Sequence, residues 1–275
     1  MSVAIQPASK PMTLPGEKLD ASKMPGHWLL ARMGKRVLRP GGIEMTRKML
    51  DSLMISHSDT VVELAPGLGA TARLTLQRRP HRYIAVERDA AAAARIDRLI
   101  DPERDEVIHG NASSELLHSE ECDVVYGEAM LTMQPPTQKH KIVREACRIL
   151  RSGGRYAIHE LGLLPDDVPE RLKDEIHDAI SEVIHVRARP LTVSEWAGVM
   201  NDEGLEVDAE TVHTSRMHLL EPRRVIADEG MLRAARIAWN VARAPAARKR
   251  IFAMRRVFKR YEQHLCAVTM IGVKR

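Results

Sequence analysis

The residues best placed to do chemistry form one short run, Val61-Val62-Glu63-Leu64-Ala65-Pro66-Gly67-Leu68-Gly69-Ala70-Thr71-Ala72. Two β-branched residues lead into an acid, a Pro-Gly-x-Gly turn follows, and a helix-forming run continues through Arg79. This is the pattern of a buried strand, a tight loop and a helix start. Glycine at positions 67 and 69 lets the backbone pass close to a ligand with no Cβ in the way. The first amides of the helix have no intrahelical partners and can face that ligand. A second acid, Glu87, lies 20 residues beyond Gly67, where a ribose-binding carboxylate is expected.

Two ligand classes use such a loop. Gly67-Leu68-Gly69-Ala70-Thr71-Ala72 fits the dinucleotide pattern G-x-G-x-x-G/A. S-adenosylmethionine also carries a ribose, but has an amino-acid end and a sulfonium in place of a pyrophosphate. Glu63 favours the second ligand, because an acid ahead of the glycines suits an ammonium and opposes a pyrophosphate.

The elements that position these residues follow in order. Residues 1–25 hold Pro7, Pro11, Pro15 and Pro25 without apolar periodicity and are expected to form a flexible arm. Trp28, Leu29, Leu30, Met33, Val37 and Leu38 recur at helical spacing until Arg39-Pro40-Gly41-Gly42 stops them, and Glu44 to Leu53 restarts a helix. Short buried strands are expected at Tyr83–Glu87, Val107–His109, Asp123–Tyr126 and Arg155–Glu160, with helices over Ala90–Ile100 and Lys139–Leu150 between them. Arg151-Ser152-Gly153-Gly154 reads as a C-cap turn. Val168–Val186 reads as an extra helix, and Thr192-Val193-Ser194-Glu195 as the capping box of the next. A sixth strand is expected at Leu205–Val212, helices at about 223–243 and 245–261, and a last strand at Cys266–Val273.

Glu63-Leu64-Ala65-Pro66-Gly67-Leu68-Gly69 resembles motif I of the class I S-adenosylmethionine-dependent methyltransferases. Four further motifs stand in the family's order: Glu87-Arg88, Asn111-Ala112, Asp123-Val124-Val125-Tyr126-Gly127-Glu128, and Ile149-Leu150-Arg151-Ser152-Gly153-Gly154-Arg155. Asn111 departs from the Asp that many members carry. The resemblance implies S-adenosylmethionine as cofactor, bound by Glu63, Ala65, Gly67, Gly69, Glu87, Arg88, Asn111, Ala112 and Glu128. It implies an α/β fold, a doubly wound, mostly parallel seven-stranded sheet with an antiparallel last strand and helical cap insertions. The expected organisation is an arm over 1–25 and a single domain over 26–275, capped at about 27–53, 161–187 and 219–262.

The expected reaction is methyl transfer to a small-molecule acceptor enclosed by the cap. Glu128, His27 and His159 are the candidate catalytic residues, because strand ends and a histidine beside Trp28 can face the acceptor. A general base is needed only for an acceptor protonated at neutral pH. Two alternatives are an RNA or protein methyltransferase using the basic helix 245–261, and a non-enzymatic protein that binds S-adenosylmethionine. Ile251, Met254, Phe258 and Tyr261 fall on one face of that helix, which describes an amphipathic lid.

Composition narrows the partners. Net charge is +5 with 3% aromatics, which argues against a base-stacking nucleic-acid surface. Cys122, Cys147 and Cys266 have no metal-ligand spacing, so no metal is expected. No apolar run is long enough for a membrane span and no signal-peptide pattern opens the chain. A cytoplasmic location without integral membrane contact is expected, and a homo-oligomer stays open.

Overall fold

The structure is a computed structural model that describes residues 14–16 and 19–275. Most of the expected arm therefore lies outside the described residues. At its end Met24 is fully buried, and Arg250 donates to the carbonyls of Ala21 and Met24.

The sheet grows from local sequence. β1 (Thr60–Leu64) is buried along its whole length, which two-sided cover by helices requires of a central parallel strand. Its parallel neighbours are β2 (Arg82–Glu87) and β4 (Cys122–Glu128), and β3 (Glu106–His109) pairs with β2. β5 (Leu150–Leu163) lies parallel to β4, and β9 (Leu265–Lys274) lies antiparallel to β5. Adding β7 (Leu205–Val207) gives the order β3-β2-β1-β4-β5-β9-β7, so the order reverses between β1 and β4. Ligands bind beyond the carboxyl ends of strands at such a switch point.

Among the described residues the sheet has nine strands, not the seven expected. The two extra strands have separate causes. A short β6 (Leu191–Thr192) pairs with the far end of β5. The expected sixth strand is broken, because the Asp208 side chain accepts from Glu210 N and starts a 3-10 turn; the chain then rejoins β9 as β8 (His213–Arg216). Residues 151–154 are also not a helix cap. Leu150 already pairs with Cys122, and Gly153, at φ +77°, sits inside the irregular start of β5.

Helices cover both faces. On one side α2 (Gly42–Ser52) seats Met49, Leu50 and Leu53 on Val61, Val124 and Tyr126. α3 (Ala70–Gln77) and α4 (Ala90–Ile96) pack on Tyr83 and Ala85 of the same face. Asp89 caps α4 by accepting from Ala91 N and Ala92 N. On the other side lie α5 (Pro136–Ile149) and α7 (Val193–Asp202), whose capping box between Thr192 and Glu195 forms as expected.

The remaining helices sit beyond the strand ends. α1 (Gly26–Arg32), α6 (Glu170–Ile184), α8 (Pro222–Glu229), α9 (Met231–Arg243) and α10 (Pro245–Arg260) come from the three regions expected to form the cap, whereas α2, from the first of those regions, packs on the sheet instead. Leu29 and Leu30 of α1, Val183 and Ile184 of α6, and Ala247 and Met254 of α10 share one apolar cluster. Among the described residues no helix is long and apolar enough to cross a membrane.

Candidate active site

The glycine loop leaves β1 through Ala65, which holds φ +55° and donates its amide to Val86 O. The two glycines then do different work. A Cβ on Gly67 would meet nothing nearer than the Ala65 carbonyl oxygen at 4.0 Å, so the space above it is open to a ligand. A Cβ on Gly69 would come within 2.6 Å of Leu99 and 2.9 Å of Ile96, so Gly69 is demanded by packing under the loop. Glu87, nearly buried at the end of β2, accepts from Gly67 N at 3.0 Å and from Asp89 N at 2.9 Å. The carboxylate thus shares its lone pairs with the loop and still borders the cleft. Arg88 and Asn111 are exposed beside it, and Ala112 is half-buried. An open cradle at Gly67 with a fixed carboxylate beside it fits S-adenosylmethionine.

Glu63 stands behind this cleft. It is 3% exposed, and its Oε2 accepts from Tyr83 at 2.5 Å and Tyr126 at 2.8 Å. Burial pushes its carboxyl up to about 7, with the two tyrosine hydrogen bonds acting in the opposite direction.

Glu128 closes β4, and His159 is its direct register partner inside β5, which runs past the expected end at Glu160 to Leu163. Glu128 Oε1 accepts from Thr46 at 2.6 Å and from His159 Nδ1 at 2.8 Å. Its Oε2 contacts Arg39 and Thr71, and Arg39 reaches Thr46 as well. Burial alone would raise the Glu128 carboxyl, but Arg39, His159 and Thr46 outweigh it and hold it at about 2. His159 is fully buried, and its Nε2 accepts from Gly41 N at 3.2 Å. That bond fixes the tautomer: Nδ1 carries the proton and donates to Glu128.

Neighbouring side chains along a strand point to opposite faces, and Glu160 turns away from His159. Its Oε1 accepts from Met130 N at 2.9 Å and Leu131 N at 2.8 Å, and its Oε2 from Thr132 N and Thr132 Oγ1. This buried carboxylate therefore folds the loop that follows β4.

Beyond Ala129 opens a cavity of about 100 Å³. His27 and Leu30 of α1, Pro40, Thr132, Ile180 of α6, and Met254 and Phe258 of α10 contribute to its wall. Nearly all of these groups are apolar. His27 is half-buried, its ring 4.6 Å from that of Trp28. Burial, and the charge of Arg88 across the cleft, push its imidazole down to about 4, so it is neutral at pH 7.

The cluster around Glu128 gathers residues that sequence reasoning passed over. Arg39 reads there only as part of a helix stop, and Thr46 and Thr71 as ordinary helix residues. Glu160 gives a local signal, an acid within an apolar strand, which requires buried partners.

Comparisons with known proteins agree with this geometry. A family model described as a methyltransferase domain matches residues 61–154, the span from β1 to the start of β5. An uncharacterised protein of Haemophilus influenzae is 31% identical over 223 residues, covering 80% of this chain and 86% of that protein. The YcgJ protein of Bacillus subtilis superposes with a TM-score of 0.59 at 15% identity, covering 84% of this chain and 98% of that one. Geranyl diphosphate C-methyltransferase from Streptomyces coelicolor gives a TM-score of 0.58 at 14% identity, covering 84% and 77%. The matched span carries the motif glycines, Glu87 and Glu128 on a sheet whose order reverses beside them, and the chain belongs to the class I S-adenosylmethionine-dependent methyltransferases.

Proposed function

We propose that the enzyme methylates a small molecule with an apolar body. The carrying observation is the apolar cavity beyond β4 and β5, walled by α1, α6 and α10 and lined by Ala129. Bound in the adjoining cleft, S-adenosylmethionine supplies an electrophilic methyl group on a sulfonium. The chain's own part is to align the acceptor with that group and exclude water. The likeness to an enzyme named for geranyl diphosphate supports a small acceptor by analogy of fold alone.

In this reading Gly67 admits the cofactor, Glu87 and Arg88 hold the ribose, and Ala65, Gly69, Asn111 and Ala112 shape the rest of the cleft. Glu63 acts from behind the strand end, as a buried carboxyl that anchors Tyr83 and Tyr126 under the loop. Glu128 and His159 hold Arg39, Gly41 and Thr46 in place between cofactor and acceptor. A carboxylate held at about 2 is too weak a base to take an acceptor proton near pH 7. His27 is then the polar group of the acceptor pocket, and a neutral imidazole orients an acceptor by a hydrogen bond. A cytoplasmic setting belongs to the same proposal.

The test is transfer of radiolabelled methyl from S-adenosylmethionine into separated small-molecule, RNA and protein fractions of a cell extract. Label is expected in the small-molecule fraction that partitions into organic solvent. Label confined to RNA or protein overturns the reading. His27→Ala is expected to keep cofactor affinity while lowering turnover by about 10- to 100-fold, the scale of a misplaced reactant.

A further inference from the structure

The cap has an outer surface that the methyl-transfer reading does not use. α9 contains no buried residue. Met231 is 76% exposed, Leu232 92% and Trp239 62%, and Ala235, Ala238 and Ala242 are exposed too. At 100° per residue these six side chains occupy about a third of the helix circumference. The opposite side is the one that meets the protein, where Asn240 donates to Met33 O and Val241 joins the cap cluster. So α9 turns its apolar stripe outward, the reverse of a globular helix.

Charge surrounds that stripe. Residues 222–260 carry twelve Lys and Arg against two acids, a net +10, in a chain whose total is +5. Both acids face inward. Asp228 accepts from Ile43 N and pairs with Lys35 and Arg224, while Glu229 accepts from Arg36 N and Val37 N. The exposed groups are basic: Arg236 and Arg243 at the edge of the α9 stripe, and Arg248, Lys249, Arg255 and Arg256 around the half-exposed Phe252 of α10. Met254 and Phe258, which line the cavity, lie on another face of that helix.

We infer that α9 and the outer face of α10 dock the enzyme on an anionic lipid bilayer surface. An exposed stripe of Leu, Met and Trp rimmed by Arg is the composition of a helix that lies in the headgroup region, with a tryptophan at the interface. Clustered cations add attraction to anionic lipid. A second copy of the chain would bring two strongly basic surfaces together, which opposes association. Single-stranded RNA is read by stacked aromatics, whereas the stripe's most exposed members are Leu232 and Met231.

The test is co-sedimentation of the full chain with phosphatidylglycerol–phosphatidylcholine vesicles and with pure phosphatidylcholine vesicles, read without cofactor or acceptor. Binding to the anionic vesicles alone is expected, with a blue shift of tryptophan fluorescence that Trp239→Phe removes. Leu232→Ser combined with Trp239→Ser should abolish binding with the fold intact by circular dichroism. Arg248→Gln combined with Lys249→Gln should weaken it by about thirtyfold, from about 1 kcal/mol per basic residue. Failure to bind anionic vesicles overturns the inference. So does binding that survives the Leu232/Trp239 double substitution, tighter binding of an oligouridylate than of vesicles, or a dimer in solution that buries the stripe.

Discussion

Glu128 and His159 face each other in register on adjacent parallel strands, and a 2.8 Å hydrogen bond joins Nδ1 of the imidazole to Oε1 of the carboxylate. Because Gly41 N donates to the other ring nitrogen, the pair links both strands to the loop ahead of α2. Arg39 and Thr46 close the network on Glu128. This makes Glu128 a structural anion, and its removal should be felt first in stability. Glu128→Gln is expected to cost about 3–5 kcal/mol in urea denaturation, as for breaking a buried pair and stranding its cation. Its carboxyl lies at about 2 in the fold against an ordinary 4.5. The stabilisation is therefore complete above about pH 4.5 and drains away as pH falls toward 2. An unchanged stability with a collapse of turnover would instead make Glu128 a catalytic base.

Glu63 titrates in the opposite sense. Its folded value of about 7 lies above the ordinary 4.5, so the folded state holds a proton that the unfolded chain releases. Its contribution is fully present below about pH 4.5 and is lost as pH rises through 7, to a limit of about 3 kcal/mol at 1.36 kcal/mol per unit. Glu63→Gln keeps an oxygen of the kind both tyrosines share and removes the ionisable group. Relative to the variant, the parent should lose stability as pH rises from 5 to 8. Parallel curves for the two proteins would refute the buried titration.

The parts of this architecture that are local are the ones legible in the sequence. Val61 to Ala72 states its strand, turn and helix outright, and the Thr192–Glu195 box states its cap. The departures have non-local causes. The first cap helix stops at Arg32, because Gly34 takes φ +108° and Lys35 is drawn to Asp228, nearly two hundred residues away in sequence. Thr211 bonds with Ile271 of β9, which holds the break in the expected sixth strand. Arg39 reaches Glu128 across 89 residues, and no spacing rule carries a contact that far. The site's ligand-facing loop was therefore readable, and its supporting network was not.

The two loop glycines separate binding from folding. Gly67→Val places a side chain in open space that a cofactor would occupy, at a φ of +57°. Calorimetry should show S-adenosylmethionine affinity reduced at least about tenfold, with a stability loss of about 1–2 kcal/mol from the left-handed backbone. Gly69→Ala drives a methyl into Leu99 and Ile96. It should cost about 1–3 kcal/mol by overpacking, while the folded fraction keeps its cofactor affinity. Equal effects of both changes on affinity would remove the distinction.

Glu160 offers a way to disturb the acceptor pocket from a distance. It folds residues 130–132 with four hydrogen bonds, and Thr132 and Met133 of that loop line the cavity. Burial raises its carboxyl, and the four donors oppose that rise. Glu160→Gln substitutes an NH2 for one acceptor oxygen, so two donors confront each other and a buried bond is lost, at about 1–3 kcal/mol. The loop rather than the cleft should respond. Hydrogen exchange at the amides of Met130, Leu131 and Thr132 should speed up, and the acceptor KM, once labelling has identified the acceptor, should rise about tenfold for each 1.4 kcal/mol transmitted to the pocket. S-adenosylmethionine affinity should hold, because the glycine loop and Glu87 stand on β1 and β2, on the far side of β4. Loss of cofactor affinity in step with the acceptor KM would show that the two compartments are one site, and that the cavity is not separately an acceptor pocket.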